Sequence, residues 1–248
     1  MKAIAFLCVF FLFSAPAVPG QTHSYGLPAG ALIVEKRSVK PGRALILWMM
    51  RPKKNPRETP GEQYTCPEET RGSFYSGPAR VSLIQLKPAR VINTIELIPE
   101  YTEEDELDLP YRIHKGSYYH VEGVAEGQEG VPTLMQLKDY NGDGKALEFA
   151  LFDALACMGL QTTLIGYSEA QDKVIQYPVR LEVFTGKHRG VEDKLWVDYL
   201  FSQKPIRPGH WKFEIDYRGR GGTLNRYEIR YNKRAERFEG QLKYMSGE

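Results

Sequence analysis

The chain has little net charge, few cysteines and histidines, and no long helical stripe. Its 248 residues carry 33 basic and 31 acidic side chains, a formal charge of +2. That balance gives no electrostatic footprint for nucleic acid, or for any partner of one strong charge. No stretch after residue 20 is long and apolar enough to span a bilayer as a helix. Apolar residues nowhere recur at helical spacing over a long window, which excludes a mainly helical fold.

The chain does have a distinctive start: Met1-Lys2, an apolar run over 3–13, and a small-residue exit, SAPAVPG, over 14–20. This order predicts a secretory signal peptide over 1–20, removed after Gly20, and a periplasmic or secreted destination. Cys8 lies inside the apolar run, so the mature chain keeps Cys66 and Cys157. In an oxidising compartment an isolated pair is expected to be bridged, which predicts a Cys66–Cys157 disulfide. The alternative for Cys157, between Ala156 and Met158, is a small buried apolar residue.

From there the chain reads as β. Segments rich in Val, Ile, Tyr and Phe alternate with clusters of Gly, Pro, Asn and Asp. In 225–231, Tyr227, Ile229 and Tyr231 point one way and Arg226, Glu228 and Arg230 the other, as on a sheet with one wet face. Three hairpins are expected: 79–86 with 90–97, 162–167 with 173–177, and 226–231 with 236–242. A further strand precedes each, at 44–50, 147–152 and 211–217. Strand, connection, strand, tight turn, strand is how a propeller-type blade is written. The predicted fold class is therefore all-β, an antiparallel meander of blade-like units of three to four strands. It would form a small or incomplete propeller, or alternatively a β-sandwich. One helical turn is expected over 154–156, capped by Asp153. The prolines and charges of 51–61 predict an exposed loop. The acidic run 100–110 predicts a solvated linker that joins an N-terminal β half, 21–99, to a C-terminal half, 111–248, within one compact unit.

The densest local signal is DYNGDGKALE over 139–148. Oxygen side chains stand at its first, third and fifth positions (Asp139, Asn141, Asp143), glycine at the sixth, and Glu148 at the tenth. Alternate side chains turn inward, Gly144 permits a sharp turn, and the Lys145 carbonyl can serve as a backbone ligand, which suits a hard cation. An EF-hand is excluded, because its twelfth position would be Ala150 and the flanks are strand-like. The bland alternative is a pair of turn dipeptides, Asn141-Gly142 and Asp143-Gly144, that need no metal. Three carboxylates in one turn repel one another without a counter-ion, which favours Ca²⁺.

The stretch resembles the calcium loops of FG-GAP (integrin-type) and related bacterial β-repeat proteins, over roughly residues 134–152. The resemblance implies a structural Ca²⁺ held by Asp139, Asn141, Asp143, Lys145 and Glu148. The acid that those loops carry at the ninth position falls here at the tenth, and the Phe-Gly and Gly-Ala-Pro signatures are missing. What carries over is the loop chemistry.

Catalytic signals are thinner. GYSEA over 166–170 is one residue short of the G-x-S-x-G elbow around Ser168, and Asp193 and His210 follow in hydrolase order. A strand resumes at Lys173, so a hairpin turn is the better account of Ser168. His114 and His120 share a strand face by spacing, but no third ligand follows at zinc spacing. Arg218, Arg220, Arg226, Arg230, Arg234 and Arg237 offer cations to a polyanion or glycan, yet Glu228, Glu236 and Glu239 interrupt them. The function expected is an exported, calcium-stabilised binding or scaffold module without catalytic activity, its partner an extracellular protein or glycan. The alternative is a cell-envelope hydrolase using Ser168 or clustered carboxylates.

Overall fold

A computed structural model of the chain describes residues 25–55, 74–100, 106–109, 120–121, 132–155 and 159–245. The expected signal peptide over 1–20, both bridge candidates Cys66 and Cys157, and His114 lie outside the described residues.

The first six strands are β1 (Ala31–Lys40), β2 (Arg43–Met50), β3 (Lys53–Asn55), β4 (Phe74–Gly77), β5 (Ala79–Leu86) and β6 (Ala89–Leu97). Next come β7 (Leu107–Leu109), β8 (His120–Val121), β9 (Pro132–Thr133), β10 (Glu148–Leu155), β11 (Gly159–Ser168) and β12 (Lys173–Gln176). The last six are β13 (Val179–Thr185), β14 (His188–Lys194), β15 (Val197–Asp198), β16 (His210–Asp216), β17 (Leu224–Asn232) and β18 (Arg237–Met245). Among the described residues there is no α-helix, only two short 3-10 turns.

The first sheet has the order β1-β2-β5-β6. The second joins β10, β11 and β12, with β15 also on β11. The third runs β14-β13-β18-β17-β16, and within it β13 and β18 are parallel. A small β3-β4-β7 sheet and the β8–β9 pair complete the set. Among the described residues no sheet closes into a barrel, and the fold is all-β, built of open and mainly antiparallel sheets. All three expected hairpins form, as β5–β6, β11–β12 and β17–β18. The strand expected before each is β2, β10 and β16, paired to it in the same sheet.

Side-chain alternation stacks these sheets in layers. In β2, Leu45, Leu47 and Met49 enter a core shared with Phe149, Leu151 and Ile165 of the second sheet. Ile46 and Trp48 face the other way and pack with Ile84, Tyr25 and Leu27. On the far side of the second sheet, Ala150 and Leu164 meet Val179, Leu181, Trp211, Ile229 and Phe238 of the third. The second sheet is thus covered on both faces, and β11 is buried at every position from Leu160 to Ser168. Each large apolar side chain so buried contributes about 1.5–3 kcal/mol, which makes the middle layer the main source of cohesion. Its two buried threonines are matched rather than exposed. Thr162 Oγ1 donates to the Val197 carbonyl at 2.8 Å and Thr163 Oγ1 to the Leu195 carbonyl at 2.7 Å.

Two expectations need correction. The helical turn at 154–156 does not form at its described residues, because β10 runs on to Leu155 and β11 lies opposite through Leu155↔Gly159. Nor is the acidic segment 100–110 a free linker where it is described. Leu107 and Leu109 are buried in the first core, and β7 pairs with β4. That core draws on residues from both sides of the segment, so the two halves share one interior. Within the expected exposed loop 51–61, Lys53–Asn55 forms β3.

Candidate functional site

The 139–148 stretch is a loop closed by its own backbone. Lys138 N–H donates to the Glu148 carbonyl at 2.8 Å and Glu148 N–H to the Lys138 carbonyl at 3.3 Å. Inside it, Asp139 Oδ1 accepts the amides of Gly142 (2.7 Å) and Asp143 (3.1 Å), and Oδ2 accepts that of Gly144 (3.0 Å). Asn141 Oδ1 takes the Asp143 amide at 2.9 Å, and Asp143 Oδ1 takes the Lys145 amide at 2.9 Å. These Asx-type bonds explain why short oxygen side chains alternate here: each folds back on the chain and fixes the next turn. Gly144 stands at φ +86 in open space, where a side chain would strain the backbone.

The loop is docked against the third sheet. Gly209 N–H donates to the Tyr140 carbonyl at 2.9 Å, and a Cβ on Gly209 would stand 2.6 Å from the Asn141 carbonyl oxygen. The Tyr140 ring stacks at 6.4 Å on Trp211 and meets Phe201 edge-on at 6.2 Å. The loop therefore bolts the second sheet to the third.

Glu148 is the buried end of this arrangement, with no exposed surface. Its Oε2 accepts the Tyr140 amide at 3.1 Å and its Oε1 accepts Asn141 Nδ2 at 2.9 Å. Opposite it in register is Gly166, where a Cβ would sit 2.8 Å from Glu148 Cγ, so glycine makes the room for this carboxylate. Burial pushes the Glu148 carboxyl up to about 8, and the charges of Asp143 and Asp139 push the same way. Tyr140 and Tyr231 are each pushed up to about 12, mainly by burial and in part by the Glu148 charge. Tyr177, held by the Asn141 side chain, is raised by burial too.

The predicted ligands share one loop but stand in two tiers. Asp139 and Asp143 form the outer tier with Lys145, whose ammonium pairs with Glu169. Glu148 forms the inner tier behind the Asn141 amide. Among the described residues, no three His, Cys, Asp or Glu side chains lie close enough together to hold a metal ion in the arrangement seen. All donors of the loop are hard oxygens, and both Asp139 and Asp143 keep lone pairs beyond those their amide bonds use, which fits Ca²⁺ in kind. Gly166, Tyr177, Gly209 and Pro208, whose carbonyl oxygen would stand 2.8 Å from a Cβ on Gly142, also belong to the site. The sequence gives no local sign of them, because each reaches the loop from a distant strand or turn.

The other predicted groups are dispersed. Ser168, the last residue of β11 and 3% exposed, donates to Glu236 Oε1 at 2.6 Å and accepts the Gln171 amide at 3.2 Å. Asp193 pairs with Arg180 at 3.5 Å, whereas His210 Nε2 accepts Arg230 Nε at 3.3 Å. Ser168, Asp193 and His210 therefore have separate partners. In the arginine-rich region Arg218 pairs with Asp216, Arg226 with Glu214, Arg230 with Glu228 and Arg237 with Glu239, a face of alternating charge. His120 opens β8.

Compared with protein-family models, with curated proteins and with solved structures, the chain gives no match.

Proposed function

We propose that the chain is an exported, calcium-stabilised, β-rich binding or scaffold module that works without catalytic chemistry on an extracellular protein or glycan. The observation that carries this reading is the placing of Asp139, Asn141, Asp143 and Glu148 in one loop at the junction of two sheets. Ca²⁺ takes six to eight oxygens in irregular geometry, and the Lys145 carbonyl and water would complete the set. A bound cation supplies positive charge beside Asp139 and Asp143 and favours the ionised form of the Glu148 carboxyl, and so stabilises the joint between layers. A role in binding rather than hydrolysis is supported by Ser168, whose hydroxyl is committed to Glu236.

Calorimetric titration of the mature, chelator-treated protein with CaCl₂ tests the reading. A saturable site that is lost in Asp139→Asn and Asp143→Asn is expected. Binding that ignores both substitutions, or no binding at millimolar Ca²⁺, overturns it.

A further inference from the structure

The third sheet ends on β14, which pairs only with β13 among the described residues. Every position of β14 before Lys194 is exposed. A two-residue turn, Gly186-Lys187, joins the two strands, with Gly186 at φ +59. Such a turn closes on a hydrogen-bonded pair, here Thr185 and His188, and bonded and non-bonded pairs alternate from there. Phe184↔Arg189, Glu182↔Val191 and Arg180↔Asp193 are therefore non-bonded pairs. Arg189, Val191 and Asp193 turn their N–H and C=O groups away from β13. Their side chains lie on the outer face of the sheet, since Val179, Leu181 and Val183 hold the inner one.

An open edge is a template for another strand, and proteins blunt it with bulges, prolines or a covering segment. The register of β14 runs without a bulge, and the strand holds no proline. Other edges are treated differently. β1 carries two register shifts, and its Glu35 Oε2 accepts the amides of Leu134 and Met135. The start of β16 is taken by the 206–210 turn, where Ile206 N–H donates to the His210 carbonyl at 2.9 Å. Apolar surface also collects at β14. Val191 is 51% exposed, Leu195 just past the strand 45%, and Ile98 52%. Trp196 Nε1 donates to the Ile98 carbonyl at 2.7 Å and Lys194 pairs with Glu100 at 2.9 Å, which holds Ile98 beside the end of β14.

We propose that β14 pairs antiparallel with β14 of a second copy, about a two-fold axis through Val191, and so joins two third sheets into one. The sequence of the strand, HRGVEDK, carries the complementarity. Residues equally spaced about Val191 meet across the axis, so Arg189 faces the partner's Asp193 and Asp193 the partner's Arg189. Side chains so placed lie about 5 Å apart, within reach of an ion pair. The three outward residues exchange both backbone bonds with their counterparts. Arg189 already reaches Glu182 at 2.7 Å and Asp193 reaches Arg180 at 3.5 Å. Pairing brings these two ion pairs together with their signs alternating, whereas an edge of one sign would repel its copy. Val191 is covered by the partner's Val191 at the axis. The surface is small, so the dimer forms and parts with concentration. This inference goes beyond the calcium-stabilised reading and does not rest on it.

Sedimentation equilibrium of the mature chain over roughly a hundred-fold range of concentration tests it by mass action. The mass is expected to rise from that of one chain towards that of two. Arg189→Glu, Asp193→Arg and Val191→Lys each place like charges across the axis and are expected to weaken association at least about ten-fold. An equimolar mixture of Arg189→Glu with Asp193→Arg is expected to associate again, because each acidic side chain in the mixed pair faces a basic one. Circular dichroism checks the fold of each variant, and if the charge variants lose it, Val191→Lys decides alone. A wild type that stays monomeric throughout overturns the proposal. So do folded single variants that associate as wild type does, or a mixture that associates no better than its components. The mass is read with and without Ca²⁺, so failure of the calcium reading is told apart from failure of this one.

Discussion

Asn93 in β6 uses both ends of its side-chain amide on one residue of the neighbouring sheet. Its Oδ1 accepts the Val174 N–H at 2.9 Å and its Nδ2 donates to the Val174 carbonyl at 2.8 Å. A single side chain thus does what an added strand would do, closing the edge of β12 against the first sheet. Asn93→Ala leaves both backbone groups of Val174 unpaired and is expected to cost about 2–3 kcal/mol in urea unfolding. Asn93→Asp restores the acceptor but sets a carboxylate against a carbonyl, and is expected to recover little.

Asp172 ties the β11–β12 turn to the start of β2. It accepts Arg43 Nη2 at 3.1 Å, the Tyr167 hydroxyl at 2.5 Å and Lys40 Nζ at 3.2 Å. The Arg43 guanidinium, followed by the Tyr167 hydroxyl, holds its carboxyl well below the usual carboxylate range. A depressed folded pKa contributes stability above the unfolded value, about 4, which is lost as pH falls through the folded one. Because the side chain is 44% exposed, solvent screening limits the effect to about 0.5–1 kcal/mol. Asp172→Asn is expected to destabilise by that amount at pH 7, since Asn tolerates the positive φ here. The gap from wild type should narrow steadily below about pH 4. Paired urea melts at pH 7 and pH 3 check it, and a gap that does not shrink assigns the loss to packing.

Export and redox state form one joint prediction. Secreted material is expected to begin at Gln21 and to resist alkylation at Cys66 and Cys157 until reduced. Intact-mass spectrometry with and without reductant reads both at once. A retained residue 1, or two thiols that alkylate freely, contradicts the exported reading.

What was legible in the sequence follows from how local each cause is. The three hairpins were legible because alternation in 225–231 and turn residues such as Lys87-Pro88 act over a few positions. In β2 the apolar run of 44–50 hides two faces, since Leu45 and Ile46 enter different cores and neither faces water. The burial of Gln161, Thr162 and Thr163 was not legible either. Polar residues mark a wet face until distant carbonyls, here Val197 and Leu195, arrive to pair with them. In the loop, Asp139, Asn141 and Asp143 announced themselves by spacing. Gly166, Gly209 and Tyr177 did not, because their role depends on a sheet junction that no short window contains. The parallel pairing of β13 with β18 lies beyond local pattern for the same reason.

The central claim is that the 139–148 loop holds a structural Ca²⁺, and thermal melting with and without the ion tests it most directly. The outer carboxylates of Asp139 and Asp143 and the buried Glu148 carboxyl place the affinity on the order of 10⁻⁴–10⁻³ M. Ca²⁺ at ten times Kd then stabilises the folded state by about 1.4 kcal/mol, which for a chain of this size raises Tm by about 3–6 °C. Asp143→Ala, compared with wild type in the same buffers, isolates the share of that shift that belongs to the loop. A larger shift in wild type than in Asp143→Ala, reversed by chelator, is the predicted result. Equal shifts in the two proteins, or melting indifferent to both Ca²⁺ and chelator, would show that the loop is a turn and no more.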